Sequence, residues 1–384
     1  MRSRLMKFLL YFSVLLTCYS QAVIAREVTM KEKIGQMLLI GFKGTELHAD
    51  DFIVKAILAQ RIGGVILFDY DFPTGTYDHN IKNPEQLKHL TSQLQDYTRQ
   101  AAQDNTNNLY PMFIGIDYEG GKVNRLKENY GFPKTLAAAD IGQLSLAEAN
   151  QYAQQMADTL NQAGINLNFA PVLDVNVNPD SPAIGKLGRS FSADPQKVAD
   201  YAAIFARAYQ EKGIFCSYKH FPGHGSATGD THAGFVDITQ TWKEYELDPY
   251  KKLFRQQNGC DMVMTAHVVH YGLDSKGYPA SISTPITKEL LREKLNFTGL
   301  VVTDDMQMKA IADNYGLAEA VRLAINAGAD ILVFGNQQVP APQDPQEIVD
   351  MIYDDVMTGK IRESRIEEAY QRIMKLKEKL GKAG

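Results

Sequence analysis

The stretch GIFCSYKHFPGHGSATGDTH, residues 213–232, changes character at Lys219. Residues 213–218 form a short apolar run of the kind that makes a buried strand. From Lys219 onward, Lys, His and Asp are crowded together with Gly223, Gly225 and Gly229. A Pro-Gly-His-Gly core cannot extend a helix or a central strand, because Pro lacks a donor and Gly is too permissive. The stretch therefore reads as a strand opening into a long loop, and the glycines predict hinge freedom in that loop. Asp230 and His232 stand two apart, which in an extended segment puts both side chains on one face. A carboxylate beside an imidazole fixes its tautomer and supports its cation, giving an acid/base pair. His220, His224, Asp230 and His232 are also conceivable zinc ligands. Their spacing follows no zinc pattern and Lys219 beside them repels a cation, so no metal is expected.

Seven further apolar runs repeat the design, at residues 35–41, 63–68, 112–117, 165–174, 262–267, 300–304 and 331–334. Between them lie helix-like segments such as 84–103, 146–162, 195–210 and 317–326. Continuous apolar strands alternating with helices imply a parallel sheet covered on its faces. Eight such units predict an α/β fold, a single (β/α)8 barrel of the TIM type over residues 26–384. An open doubly wound sheet is the alternative, but the first strand lacks the glycine fingerprint of a dinucleotide site. Residues 362–380 read as a solvated outer helix docked on the barrel. The length of 384 residues suits one barrel, and 45% hydrophobic residues against 22% charged ones supply an ordinary core.

Barrel sites gather at the carboxyl ends of the strands. Those ends carry Asp117-Tyr118-Glu119, Asp174, Lys219-His220, His267 and Asp304-Asp305. Strand alternation lets only one of Asp304 and Asp305 face the pocket, and Asp305 is expected to cap the following helix.

The first 25 residues stand apart. Arg2, Arg4 and Lys7 precede an apolar run at 8–17, with small Val23 and Ala25 before a cut after Ala25. This is the pattern of a signal peptide, so the protein is expected to be exported, periplasmic or secreted, with no membrane span after processing. Cys18 follows Leu15-Leu16-Thr17, a weak likeness to a lipoprotein cleavage box, but Thr17 is a poor residue before such a cut. Losing three bases and no acids moves the formal charge from −5 to −8. An acidic domain argues against nucleic acid as a ligand. Cys216 and Cys260 then remain, and a disulfide and two buried thiols both fit their apolar surroundings.

Together these residues resemble glycoside hydrolase family 3, in particular its single-domain β-N-acetylhexosaminidase branch. The resemblance runs over residues 29–380. KHFPGHG followed by DTH carries it, with IDYEGGKVNR (116–125), APVLDV (170–175), GRSF (188–191), DMVMTAH (261–267) and VVTDDM (301–306) in order. It implies Asp304 as nucleophile and His232, oriented by Asp230, as general acid/base. It also implies that Asp117, Arg125, Arg189, Lys219 and His220 grip the terminal sugar. No cofactor is implied, and the expected partner is an oligosaccharide containing N-acetylglucosamine, drawn from peptidoglycan fragments or chitin.

The chemistry is consistent with that assignment. Glycoside cleavage passes through a cationic sugar that a carboxylate can trap, with retention of configuration. An imidazolium can protonate the leaving oxygen and later take a proton from water. Lys219 and Arg189 could instead be ion-pair partners of Asp117 or Asp174, and His224 could brace the loop. His267 fits a supporting role, and Tyr118 departs from the Gln or His common in relatives. A β-glucosidase of the same family and an inactive cell-wall sugar-binding protein are the alternatives. Phosphate could replace water as acceptor, and the oligomeric state is open.

Overall fold

Each of the eight apolar runs is a strand of one closed sheet in the computed structural model, which describes residues 27–102, 110–256, 258–339 and 341–381. The segment read as a signal peptide, with Cys18, lies outside the described residues. The barrel strands are β1 (Leu38–Gly41), β2 (Gly64–Leu67), β3 (Phe113–Ile116), β4 (Leu167–Asn168), β5 (Phe215–Phe221), β6 (Met262–Thr265), β7 (Leu300–Asp305) and β8 (Ile331–Phe334). Every neighbour pair is parallel, and β1 pairs with both β2 and β8, which closes the ring. Strands covered on both faces have no polar side to show, which is why they read as unbroken apolar runs.

Helices Pro84–Ala102, Leu146–Gln162, Pro195–Glu211 and Leu317–Ala327 fall within a residue or so of the expected segments. Local chemistry starts them where it should. Ser145 and Glu148 form a capping box, and the Asp194 side chain accepts the Gln196 N–H.

The last helix, Glu363–Gly381, does more than shed water from its polar face. Its Lys377 is 2% exposed, and Nζ donates to the Gly63 carbonyl at 2.6 Å and Gln36 Oε1 at 2.8 Å. Nearer the start of the same helix Arg365 is buried, donating to the Ala329 carbonyl and to Asp330. The helix therefore plugs the amino-terminal end of the barrel, opposite the strand ends that carry the acids and histidines.

Two sequence expectations are corrected at β7. Val302 pairs with Ile331 but Asp305 pairs with Val333, so β7 spends one residue more than β8 over this span. Such a bulge breaks the two-residue alternation, and both Asp304 and Asp305 line the same cavity. Nor does Asp305 cap the next helix, whose N-cap position is Met308. Its Oδ1 accepts the N–H groups of Gln307, at 3.0 Å, and Gly335, at 3.1 Å, pinning the turn against β8. Cys216 on β5 and Cys260 just before β6 are joined as a disulfide. Among the described residues, no helix is long and apolar enough to cross a membrane.

Candidate active site

A cavity of about 340 Å³ opens at the carboxyl ends of the strands. All eight residues singled out from the sequence line it: Asp117, Arg125, Arg189, Lys219, His220, Asp230, His232 and Asp304.

Its floor is an ion network. Lys219, at the end of β5, is 2% exposed, with Nζ 2.8 Å from Asp117 Oδ1 and 2.7 Å from Glu119 Oε1. Arg189 grips Glu119 with two parallel bonds, Nε to Oε2 at 2.8 Å and Nη2 to Oε1 at 2.7 Å. Arg125 reaches Asp117 Oδ2 at 3.2 Å from the short ribbon that follows β3. Burial pushes the Asp117 carboxyl up, but Lys219 and Arg125 outweigh it and hold the group far below the usual carboxylate range. Glu119 is likewise held low, its burial outweighed by Arg189 and Lys219. Burial works to lower the Lys219 pKa and is overcome by Asp117 and Glu119, so the ammonium stays charged. Of the ion pairs read from the sequence, Lys219–Asp117 is present, whereas Arg189 pairs with Glu119 and not with Asp117 or Asp174.

Glu119 is the residue the sequence reading passed over. It stood in the quoted strand end, but nothing local showed that Lys219 and Arg189 would converge on it. Removing it leaves Arg189 without its carboxylate partner and the buried Lys219 with Asp117 alone. Glu119→Ala is expected to cost about 3–5 kcal/mol of stability and to raise KM. Denaturant titration checks the first, and a loss under about 1 kcal/mol would deny the network that role.

Asp174 organises the next wall. It is fully buried, and its Oδ2 accepts His220 Nδ1–H at 2.6 Å while Oδ1 accepts the His224 N–H at 2.7 Å. Arg189 Nη2 stands 3.1 Å from His220 Nε2. Since a guanidinium only donates, His220 carries its proton on Nδ1. His224 is buried, and burial lowers its pKa to about 4, so a neutral ring braces the loop as expected. His267 has a similar supporting part. Nε2 donates to the Asp305 carbonyl at 2.8 Å, and Nδ1 accepts from Ser281 Oγ at 2.6 Å. Tyr118 points away from the cavity into the core, fully buried.

The loop after β5 divides into a fixed base and an exposed tip. Residues 221–227 are buried and 232, 233 and 235 are exposed. A Cβ on Gly225 would collide with the Val175 carbonyl, and one on Gly223, whose φ is +129°, would press on Glu246. These two glycines serve close packing, which corrects the hinge reading at both positions. The tip is tethered through the Ala310 N–H to the Thr231 carbonyl, at 3.3 Å, in the element that follows β7. At the tip, His232 Nδ1 is 2.8 Å from Asp230 Oδ1, leaving Nε2 free. The His232 bond holds the Asp230 carboxyl well below its usual range. Burial works to lower the His232 pKa, and it is outweighed by the Asp230 bond and the field of Asp304, so the net shift is upward. Asp304 is half-buried; its desolvation favours the neutral form, yet the neighbouring His267, His220 and His232 hold its carboxyl below the ordinary range. Burial raises Asp305 to about 6. The two neighbouring acids are thus driven apart, one anionic and one protonated below about pH 6.

Beneath the loop, Glu246 is fully buried and burial raises its pKa to about 7. A carboxyl with a folded pKa above its ordinary 4.5 stabilises the fold below that value, and the benefit is lost as pH rises through 7. Glu246→Gln is therefore expected to leave stability at pH 5 nearly unchanged and to raise it by about 1–3 kcal/mol at pH 8. Melting curves at both pH values check this, and an equal shift at each would refute it.

Comparison with known proteins gives a consistent result. The family model for the glycosyl hydrolase family 3 N terminal domain matches residues 29–376. Beta-hexosaminidase A of Pseudoalteromonas piscicida is 32% identical over 345 residues, covering 85% of this chain, which spans only 55% of that enzyme's length. A beta-hexosaminidase of Haemophilus influenzae is 33% identical over 311 residues, covering 78% of this chain and 80% of its own. The structure of a glycoside hydrolase family 3 beta-N-acetylglucosaminidase from Paenibacillus sp. superposes with a TM-score of 0.81 at 32% identity. It covers 92% of this chain and 63% of its own.

Proposed function

The chain belongs to glycosyl hydrolase family 3, and from that premise we propose that it is a retaining β-N-acetylhexosaminidase that removes terminal β-linked N-acetylglucosamine. Asp304 attacks the anomeric carbon, and the sugar is held as a glycosyl ester on its carboxylate. His232 Nε2–H protonates the departing oxygen, then takes a proton from the water that opens the ester. Asp230 holds the ring and stabilises its cation. Asp117, Arg125, Lys219 and His220 bind the hydroxyls and acetamido group of the terminal sugar. Arg189 binds there too and also fixes Glu119 and His220.

The observation that carries this reading is the pairing in one cavity of an anionic carboxylate on a strand end, Asp304, with an imidazole of raised pKa on a tethered loop, His232. Peptidoglycan fragments or chitin oligomers outside the cytoplasm are the proposed substrates. The Cys216–Cys260 disulfide supports an oxidising compartment and so export.

The test pairs nitrophenyl β-N-acetylglucosaminide with the matched β-glucoside. A strong preference for the acetamido sugar supports the assignment, and preference for glucose overturns it. NMR of the first sugar released must show the β-anomer, since an α-product would exclude the covalent route. Folded protein silent on both sugars, yet binding them by calorimetry, would make it a binding protein.

A further inference from the structure

The loop between β2 and the helix Pro84–Ala102 carries aromatic side chains that the catalytic proposal leaves unused. Phe72 is 52% exposed and Tyr77 57% exposed. They flank Tyr70, with Phe72 edge-on at 4.9 Å between centroids and Tyr77 tilted at 4.7 Å. We propose that this platform is a second sugar-binding position, at which Phe72 takes the apolar C–H face of the pyranose in the leaving group. The proposal rests on the hexosaminidase reading and names the class of its aglycone.

Three observations carry it. First, Phe72 lines the same cavity as Asp117, Arg125 and Asp304. It stands at the solvent-facing lip, whereas the charged groups that suit a terminal sugar lie on the floor. Second, the loop is built to hold the ring out. The Asp71 N–H donates to the Thr76 carbonyl and the Gly75 N–H to the Asp71 carbonyl, each at 2.8 Å. Lys43 pairs with Asp71 at 2.6 Å, and Gln337 Nε2 donates to the Tyr70 carbonyl at 2.8 Å. Lys127 bonds Asp69 at 2.6 Å while lying 4.5 Å over the Tyr77 ring. A phenyl ring pinned in water forgoes burial that a freer loop would give it, so the exposure calls for an occupant.

Third, the wall around the ring is polar. Arg125 and Gln338 border the same space, and a wholly apolar ligand would cover these polar groups without bonding to them. A pyranose has what the site lacks: a flat face of C–H groups for the ring and a rim of hydroxyls for its neighbours. The aromatic quadrupole adds to the contact, since the ring's negative face meets weakly positive C–H groups.

The test compares two substrates of the intact protein that share the terminal sugar. One is the β-linked disaccharide of N-acetylglucosamine, and the other is N-acetylglucosaminyl azide, whose leaving group is too small to reach Phe72. In Phe72→Ala the ratio of kcat/KM for disaccharide over azide is expected to fall about tenfold, the scale of one aromatic contact. Phe72→Tyr is expected to restore the ratio. An unchanged ratio in Phe72→Ala overturns the site, including the case in which both substrates lose equally and Phe72 serves the terminal sugar instead. Wild-type protein that cleaves neither substrate overturns the hydrolase reading itself, an outcome distinct from the selective one.

Discussion

Asp304→Ala is expected to lower kcat for any β-N-acetylglucosaminide by about 10⁴-fold or more, the scale seen when a covalent nucleophile is removed. The size follows from the environment. Asp304 is half-buried at the strand end, so its charge is only partly screened, and the imidazoles beside it hold its carboxyl below the ordinary range. Without it, the cationic sugar meets no counter-charge beneath the anomeric carbon. Mass spectrometry of enzyme quenched during turnover of a slow substrate should find the sugar on a peptide containing Asp304. Asp305 is the internal control, because it lies in the same cavity but is protonated below about pH 6. If Asp304→Ala keeps wild-type activity while Asp305→Ala is dead, the assignment is reversed.

His232→Ala should produce the second largest loss, about 10²- to 10⁴-fold on an oligosaccharide, the range for general acid/base catalysis. The defect should shrink for nitrophenolate, which leaves without a proton. A loss of equal size for both leaving groups would give His232 a binding role instead. The pH profile carries the same information. Asp230 and Asp304 together raise the His232 pKa above its ordinary 6.5, so kcat/KM of the wild type should decline through a pKa above that value. Asp230→Asn removes the strongest of the two supports and should move the alkaline limb downward. A limb that stays in place would show that the proton donor is some other group.

Much of this was legible in linear form. The eight strands appear as eight apolar runs because a parallel sheet covered on both faces demands them. The charged strand ends, Asp117, Lys219, His220 and Asp304, are visible as abrupt changes at the end of each run. The Asp230–His232 pair is visible because its members stand two residues apart. These features depend on periodicity and near neighbours, which a chain carries in its own order. Segment 1–25, read as a signal peptide, lies outside the described residues.

Other features depended on packing between distant segments. Lys219 and Asp117 are separated by 102 positions, and Glu119 gains its importance only when Arg189, 70 positions away, closes on it. Residue order does not show that three walls of a barrel mouth will meet over one carboxylate. The bulge in β7 is similar: alternation predicted one inward acid, and a register shift against β8 turned both toward the cavity. Gly223 and Gly225 read as a hinge until the Glu246 side chain and the Val175 carbonyl proved to fill the space beside them. The residues at 216 and 260 allowed either thiols or a disulfide, and the adjacency of β5 and β6 decided the bond.

The sequence by itself thus determined the barrel and the charged residues gathered at its strand ends, because both follow from local pattern. Tertiary structure decided which charges neutralise one another, which acid stays ionised and which glycines of the loop serve close packing. Those properties depend on distance and burial, and a buried charge takes its energy from whatever the fold brings within a few ångströms.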